Sequence, residues 1–347
     1  MTYRRASVLA LLVTATALAV AACSTGGGTA RTTSATSRPE KPNLTVAVVP
    51  TTDSTGFYVA LQQGLFAAQG LHVKYVPAAS GERVINQQAL GQVDISAGNY
   101  VSYVEAQQNY NRGMRATNIP DPNSTQIAAN MDVFHEASVM QPGFVGLFTR
   151  PGSSIRNAAD LKGKTIGLNA PGNVAYLLMA NYLRQNGVSP ADVHLKYFAF
   201  PLMTQALMTH RVDVAFLAEP FATLAETTEG AVPITNMDQG ATEAFPIEGY
   251  AVTKQWAQKY PRTLAAFDRA LQEGQQIADT NRGAAAQAMA TFSATTGVTG
   301  TTGALVTLEN YPLGLPNKAR IQRVANDMRQ LGLISSKFDV SQILGAS

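Results

Sequence analysis

The sequence predicts an α/β protein of two lobes, each a mainly parallel sheet flanked by helices. Two observations carry this. Short β-branched runs alternate with amphipathic runs that end at glycine from residue 44 to 108. The same alternation returns from residue 164 to 217. The chain also opens on a segment whose chemistry belongs to export rather than to a folded core.

In that opening segment, Arg4 and Arg5 precede Val8 to Ala22, 15 residues without a charge. At ~1.5 Å per helical residue the run spans about 22 Å, short of the ~30 Å hydrocarbon core of a bilayer. A removable signal over residues 1–22 fits that length; a permanent span does not. Cys23 is the single cysteine of 347 residues, and it directly follows Val20-Ala21-Ala22. This placement resembles the bacterial lipobox. The resemblance implies lipidation of Cys23 as the first mature residue and an anchor at the outer face of the cell membrane. An ordinary secretory signal cut near Ala22, with Cys23 incidental, is the alternative. Residues 23–43 are rich in Ser, Thr, Gly and Pro, with too few apolar side chains to fold. As a coil they reach about 25 Å, a flexible tether that stands a body clear of a membrane.

The body begins with Leu44–Val49, a β-branched run that reads as a buried strand. A polar loop, Pro50–Thr55, leads to a helix over Gly56–Gln69, stopped by Gly70. Leu71, Val73 and Tyr75 alternate with His72 and Lys74 as a second strand. Ser80-Gly81 opens a helix through Leu90, Val93–Ser96 is a third strand, and Gly98-Asn99 leads into a helix from Tyr100 to Gln108. Residues 109–130 read as a polar surface excursion. Val133–Ser138 and Phe144–Thr149 read as strands, one or both crossing between lobes. The second lobe repeats the first: strands at Lys164–Leu168, Val193–Phe198 and Val212–Leu217, with helices from Val174 to Leu183 and from Pro201 to His210. Ile247–Thr253 is the expected return crossing. Gln255–Thr280, Arg282–Phe292 and Lys318–Leu331 read as helices, and residues 293–303 as irregular. The boundaries that follow are lobe one at 44–138, lobe two at 139–246, and 247–347 returning to pack on lobe one.

Composition narrows the function. Loss of Arg4 and Arg5 with the signal takes the formal charge from +3 to +1, too little for a phosphate-backbone partner, so no nucleic acid is expected. With one cysteine, a disulfide within the mature body and a cysteine metal site are excluded. The 46% hydrophobic content suffices for a core. His72, His135, His194 and His210 are scattered, without metal-ligand spacing, and neither a nucleophile elbow nor a phosphate loop is present. Neither a metal nor a cofactor is expected.

In open α/β sheets, ligands sit beyond the carboxyl ends of strands, where loops feed helix N-termini. Those loops hold Asp53, Ser54, Thr55, Gly56 and Phe57; Ser80 and Gly81; Asn99 and Tyr100; Gly172 and Asn173; and Glu219. Free N–H groups there favour an anionic group, but Ser, Thr, Asp and Asn cap helices with or without a ligand. Tyr250, with Phe57, Tyr100 and Phe200, is a candidate pocket wall, and aromatics serve cores equally well. Glu219, ahead of Pro220, could meet an amine, clamp a hinge or simply favour a helix N-terminus.

The segments Gly56–Leu71, Gln88–Asp94, Asp160–Gly167 and Ala218-Glu219-Pro220 resemble substrate-binding proteins of ABC importers. The subgroup is that of the aliphatic-sulfonate, taurine, nitrate and thiamine-pyrimidine binders, and the likeness spans about residues 44–340. The resemblance implies a type II periplasmic-binding-protein-like fold with crossing strands as hinge. It further implies a monomer that captures a small organic solute (sulfonate-like, amine-containing or pyrimidine-like) between the lobes and delivers it to an ABC permease. Two rivals stand beside it. One is a cofactor-biosynthesis enzyme on the same fold, whose cysteine-rich motif this chain lacks. The other is a surface sensor or co-receptor.

Overall fold

In the computed structural model, which describes residues 38–114 and 128–345, the alternation of the sequence becomes two five-stranded sheets. The chain runs through β1 (Asn43–Val48), α1 (Thr55–Gln62), α2 (Leu65–Ala68), β2 (His72–Pro77), α3 (Gly81–Ala89), β3 (Ile95–Asn99), α4 (Tyr100–Asn111) and β4 (Met131–Val139). It then enters the second lobe with β5 (Val145–Thr149), β6 (Thr165–Leu168), α5 (Val174–Gln185), β7 (His194–Tyr197), α6 (Phe200–Met208), β8 (Val214–Ala218), α7 (Phe221–Glu229) and β9 (Val232–Asn236). It returns through β10 (Pro246–Thr253), α8 (Lys254–Lys259), α9 (Pro261–Thr280) and α10 (Arg282–Thr291), then the short turns α11 (Ser293–Thr296) and α12 (Gly300–Gly303), and ends with α13 (Lys318–Gln330).

The first sheet has the order β2-β1-β3-β10-β4 and the second β7-β6-β8-β5-β9. In each, three parallel strands are followed by one antiparallel strand and a fifth that reverses again. The two lobes are therefore copies of one topology, as the repeated alternation predicts. The register of β10 on β3 sets Glu248 opposite Asn99, and that of β10 on β4 sets Tyr250 opposite His135.

Several expected elements differ from those observed. The helix expected over 56–69 breaks at Gly64, whose φ of 71° only glycine adopts without strain. The helix expected over 255–280 breaks at Tyr260, because Pro261 lacks an N–H and restricts the residue before it. Residues 293–303 contain helical turns rather than a purely irregular run. The edge strand β9 carries Pro233 and is an added element, since proline argues against a strand in sequence and is tolerated only at an edge. β4 and β10 both stay in the first sheet. The chain crosses instead through the links after β4 and before β10. These run side by side, with Met140 N–H donating to Phe245 O at 2.8 Å and Met237 N–H donating to Val145 O at 2.9 Å.

The expected tether also ends earlier than residue 43. The Glu40 carboxylate accepts the Arg262 and Thr263 N–H groups at 3.1 and 2.8 Å, and Lys41 pairs with Asp94. The signal at 1–22, Cys23 and the tether as far as residue 37 lie outside the described residues, as does most of the 109–130 excursion. Among the described residues no helix is long and apolar enough to cross a membrane.

Candidate functional site between the two sheets

The carboxyl ends of the parallel strands face each other across a cavity of about 470 Å³, a volume that includes the part open to solvent. Lobe one contributes Val49, Thr51 and Asp53 after β1, Gly81 at the start of α3, Asn99 at the end of β3, and Ile247 and Glu248 of β10. Lobe two contributes Asn169 after β6, Val174 and Leu178 of α5, Phe200 of α6, Phe216 and Ala218 of β8, and Phe144 and Val145 at the crossing. One wall is polar and acidic, the other mainly apolar.

The acidic wall follows from the turn after β1. Four consecutive side chains there, Thr51, Thr52, Asp53 and Ser54, are all buried. The Thr51 hydroxyl donates to Asp53 Oδ2 at 2.7 Å, Thr52 to Glu309 Oε1 at 2.9 Å, and Ser54 to Glu248 Oε1 at 2.9 Å. Ser138 of β4 donates to Asp53 Oδ1, and Tyr311 to Glu309 Oε2 at 3.2 Å. Three carboxyls from distant parts of the chain thus gather on one hydroxyl-bearing turn. Burial pushes all three above the ordinary carboxylate range, and the Asp53 charge pushes Glu248 and Glu309 further. The ion pairs among the described residues are Lys41–Asp94, His135–Asp268, Arg262–Glu40, Lys318–Asp339 and Arg320–Glu136, so none neutralises this cluster. No Lys or Arg lines the cavity. Among the described residues no group of three or more His, Cys, Asp or Glu is arranged to hold a metal ion.

Of the residues expected at the site, Asp53, Gly81 and Asn99 line the cavity. Asn99 also caps α4, accepting the Ser102 N–H at 3.0 Å, and a Cβ on Gly81 would fall 2.2 Å from Asn99 Nδ2. Phe200 lines the cavity as well, stacked on Phe221 at 5.5 Å. Ser54 reaches the site through Glu248. Asn173 lies one layer back. It donates to Asn169 Oδ1 at 2.8 Å and accepts the Ala175 N–H at 3.1 Å, with Gly172 before it at a φ of 62°.

The others stand elsewhere. Gly56 meets α9, where its absent Cβ would sit 2.4 Å from Gln275 Cγ, so it serves helix contact rather than a ligand. Thr55 donates to Thr52 O at 2.7 Å and closes the turn. Phe57 and Tyr250 belong to an aromatic core with Phe66 and Phe267. Tyr100 is fully buried, its hydroxyl against Gly249. Ser80 caps α3, accepting the Arg83 N–H at 3.3 Å.

Glu219 is a tie between lobes. Its carboxylate accepts Thr223 N–H, Thr223 hydroxyl and Thr307 N–H at 3.0, 2.7 and 3.1 Å, and its carbonyl accepts the Thr52 N–H at 3.0 Å. Donors within the protein reach both of its carboxylate oxygens, and Glu219 does not line the cavity.

Glu248, Glu309, Asn169 and most of the apolar wall are not among the residues the sequence points to. A signal existed for Glu248: one acid inside the otherwise uncharged run Phe245–Val252. For Glu309 there was none comparable.

The fold is that of several solved structures. The alkanesulfonate-binding protein SsuA from Xanthomonas axonopodis pv. citri, bound to MOPS, matches with a TM-score of 0.71 at 17% identity, over 89% of this chain and 99% of that one. The periplasmic nitrate-binding protein NrtA from Synechocystis PCC 6803 matches with a TM-score of 0.72 at 14% identity, over 88% and 86%. The desulfurization enzyme DSZB matches with a TM-score of 0.58 at 15% identity, over 88% and 96%. No curated protein matches the sequence. The model of the NMT1-like family matches residues 37–294, most of the chain, and the protein belongs to that family.

Proposed function

We propose that this protein is an exported, lipid-anchored solute-binding component that captures a small organic solute between its lobes and hands it to an ABC permease. The carrying observation is the cavity itself: both lobes line it, with the carboxyl ends of their parallel strands. Asp53, Asn99 and Glu248 are the polar groups offered to a solute there, with Asn169 opposite. Cys23 carries the anchor, and the body acts as a monomer. The likeness to SsuA and NrtA supports a binder, and the likeness to DSZB leaves room for catalysis on this fold. Binding is preferred because the hydroxyls beside the acids donate to carboxyls or to backbone, and no histidine adjoins them as a base.

A thermal-shift screen of sulfonates, nitrate, pyrimidines and amines tests the reading. A true solute at 100 times its Kd adds about 2.7 kcal/mol of stability. Stabilisation by none of these classes would remove the reading. For the anchor, Cys23→Ser should move the protein from the membrane fraction to the soluble exported fraction; an unchanged distribution would refute lipidation.

A further inference from the structure

We propose that the solute is a protonated amine on an apolar body, its ammonium received by Asp53 and Glu248. This rests on the solute-binding reading and narrows it by charge.

Asp53 and Glu248 are 5% and 4% exposed, and what exposure they have faces the cavity. Glu309 lies behind, linked through Thr52. Buried acids without a counter-cation are costly to ionise, and they repel an anion brought beside them. An ammonium at the same place satisfies them, donating three hydrogen bonds where neutral hydroxyls now supply one each. A second observation points to the same spot. Tyr250 is 1% exposed and its hydroxyl completes no hydrogen bond, although Ser54 and Glu248 are its polar neighbours. It stands on the core side of the cluster, since Tyr250 packs in the aromatic core and does not itself line the cavity. Across the cavity stand Leu178, Phe200 and Phe216, which suit a hydrocarbon or ring and offer nothing to a second charge.

The surrounding titratable groups do not cancel this preference. Glu136 on β4 and Arg320 on α13 neutralise each other in a two-point pair at 2.7 and 2.8 Å. His135, beside Tyr250, is held by Asp268 and Gln275. Glu219 accepts three N–H and hydroxyl donors and does not line the cavity. Tyr100, Tyr103 and Tyr311 are buried, and burial keeps their hydroxyls protonated.

The experiment uses probes matched in shape. Benzylamine and n-butylamine are compared with benzoate, benzenesulfonate, n-butanesulfonate and neutral benzyl alcohol, by thermal shift and by titration calorimetry. The amines should stabilise the protein; the anions should not. Glu248→Gln and Asp53→Asn should each weaken amine binding at least ten-fold. Both should leave the melting temperature of the free protein unchanged or higher, because a neutral amide replaces a buried acid. That combination separates solute recognition from a merely structural role. The inference is overturned if the anions bind and the amines do not, if no amine binds, or if the variants bind amines as wild type does. An anion that binds in the cleft would leave the solute-binding reading standing while removing this one.

Discussion

Burial, and then the charge of Glu82, raise the Glu105 carboxyl from its ordinary range to about 7. The sign of its effect on stability follows from linkage. A carboxyl whose folded pKa lies above its unfolded value near 4.5 binds more protons in the native state. Its stabilisation is complete below about pH 4.5 and is lost as the pH rises to about 7. Glu105→Gln should therefore flatten the fall in melting temperature between pH 5 and 8, and it should leave the variant the more stable protein at pH 8. An unchanged slope would show that Glu105 ionises freely. The cleft acids have the same sign, so the wild-type trend persists in the variant with reduced steepness. Glu40 is the opposite case: burial pushes it up, but N–H bonds from its own backbone, Arg262 and Thr263 prevail and bring it to about 2.

At the scale of elements, the contact of α1 with α9 depends on two glycines. A Cβ at Gly274 would lie 2.3 Å from Gly56 O, and one at Gly56 would lie 2.8 Å from Gln275 Cα. The helices meet backbone to backbone, and neither position has a flexible side-chain tip that could yield. Gly274→Ala should cost about 1–3 kcal/mol, the range for overpacking a filled core. It outweighs the ~1 kcal/mol that alanine would gain as a helix former. Chemical denaturation with an unchanged slope and a lower midpoint is the expected result; equal stability would mean that the helices separate easily. This contact also orients the turn at Thr51–Ser54, since α1 grows directly from it. Helix packing thereby sets where Asp53 and Ser54 point.

For the whole molecule, two links carry the chain between lobes, and a third tie joins Thr52 to Glu219 at the base of the cavity. Hinges of this kind are a few loop residues that absorb backbone rotation while the sheets move as rigid bodies. Small-angle scattering should give a smaller radius of gyration at saturating solute than without it. Cutting the Glu219 side-chain tie with Glu219→Gln should change that difference more than it changes the chemical class of solute accepted, because the carboxylate faces Thr223 and Thr307 rather than the cavity. An identical radius in both states would rule out lobe closure on binding.

The alternation of elements is legible along the chain. β1 announces itself by a β-branched run and β3, β6 and β8 by short apolar runs, and glycine stops mark α2, α3 and α5, because both signals act over a few neighbouring residues. The same alternation locates the loops at strand ends, and so Asp53, Gly81 and Asn99. Which loop residues turn inward depends on packing. Gly56 and Phe57 follow Asp53 closely yet face α9 and an aromatic core, since one helical turn rotates each side chain away from the last. Packing also brings Ser54 to Glu248 across 194 positions, Thr52 to Glu309 across 257, and Glu40 to the first turn of α9. Spacing along a chain carries no information on such meetings. Sheet order and helix packing create them, and with them the charge of the cleft.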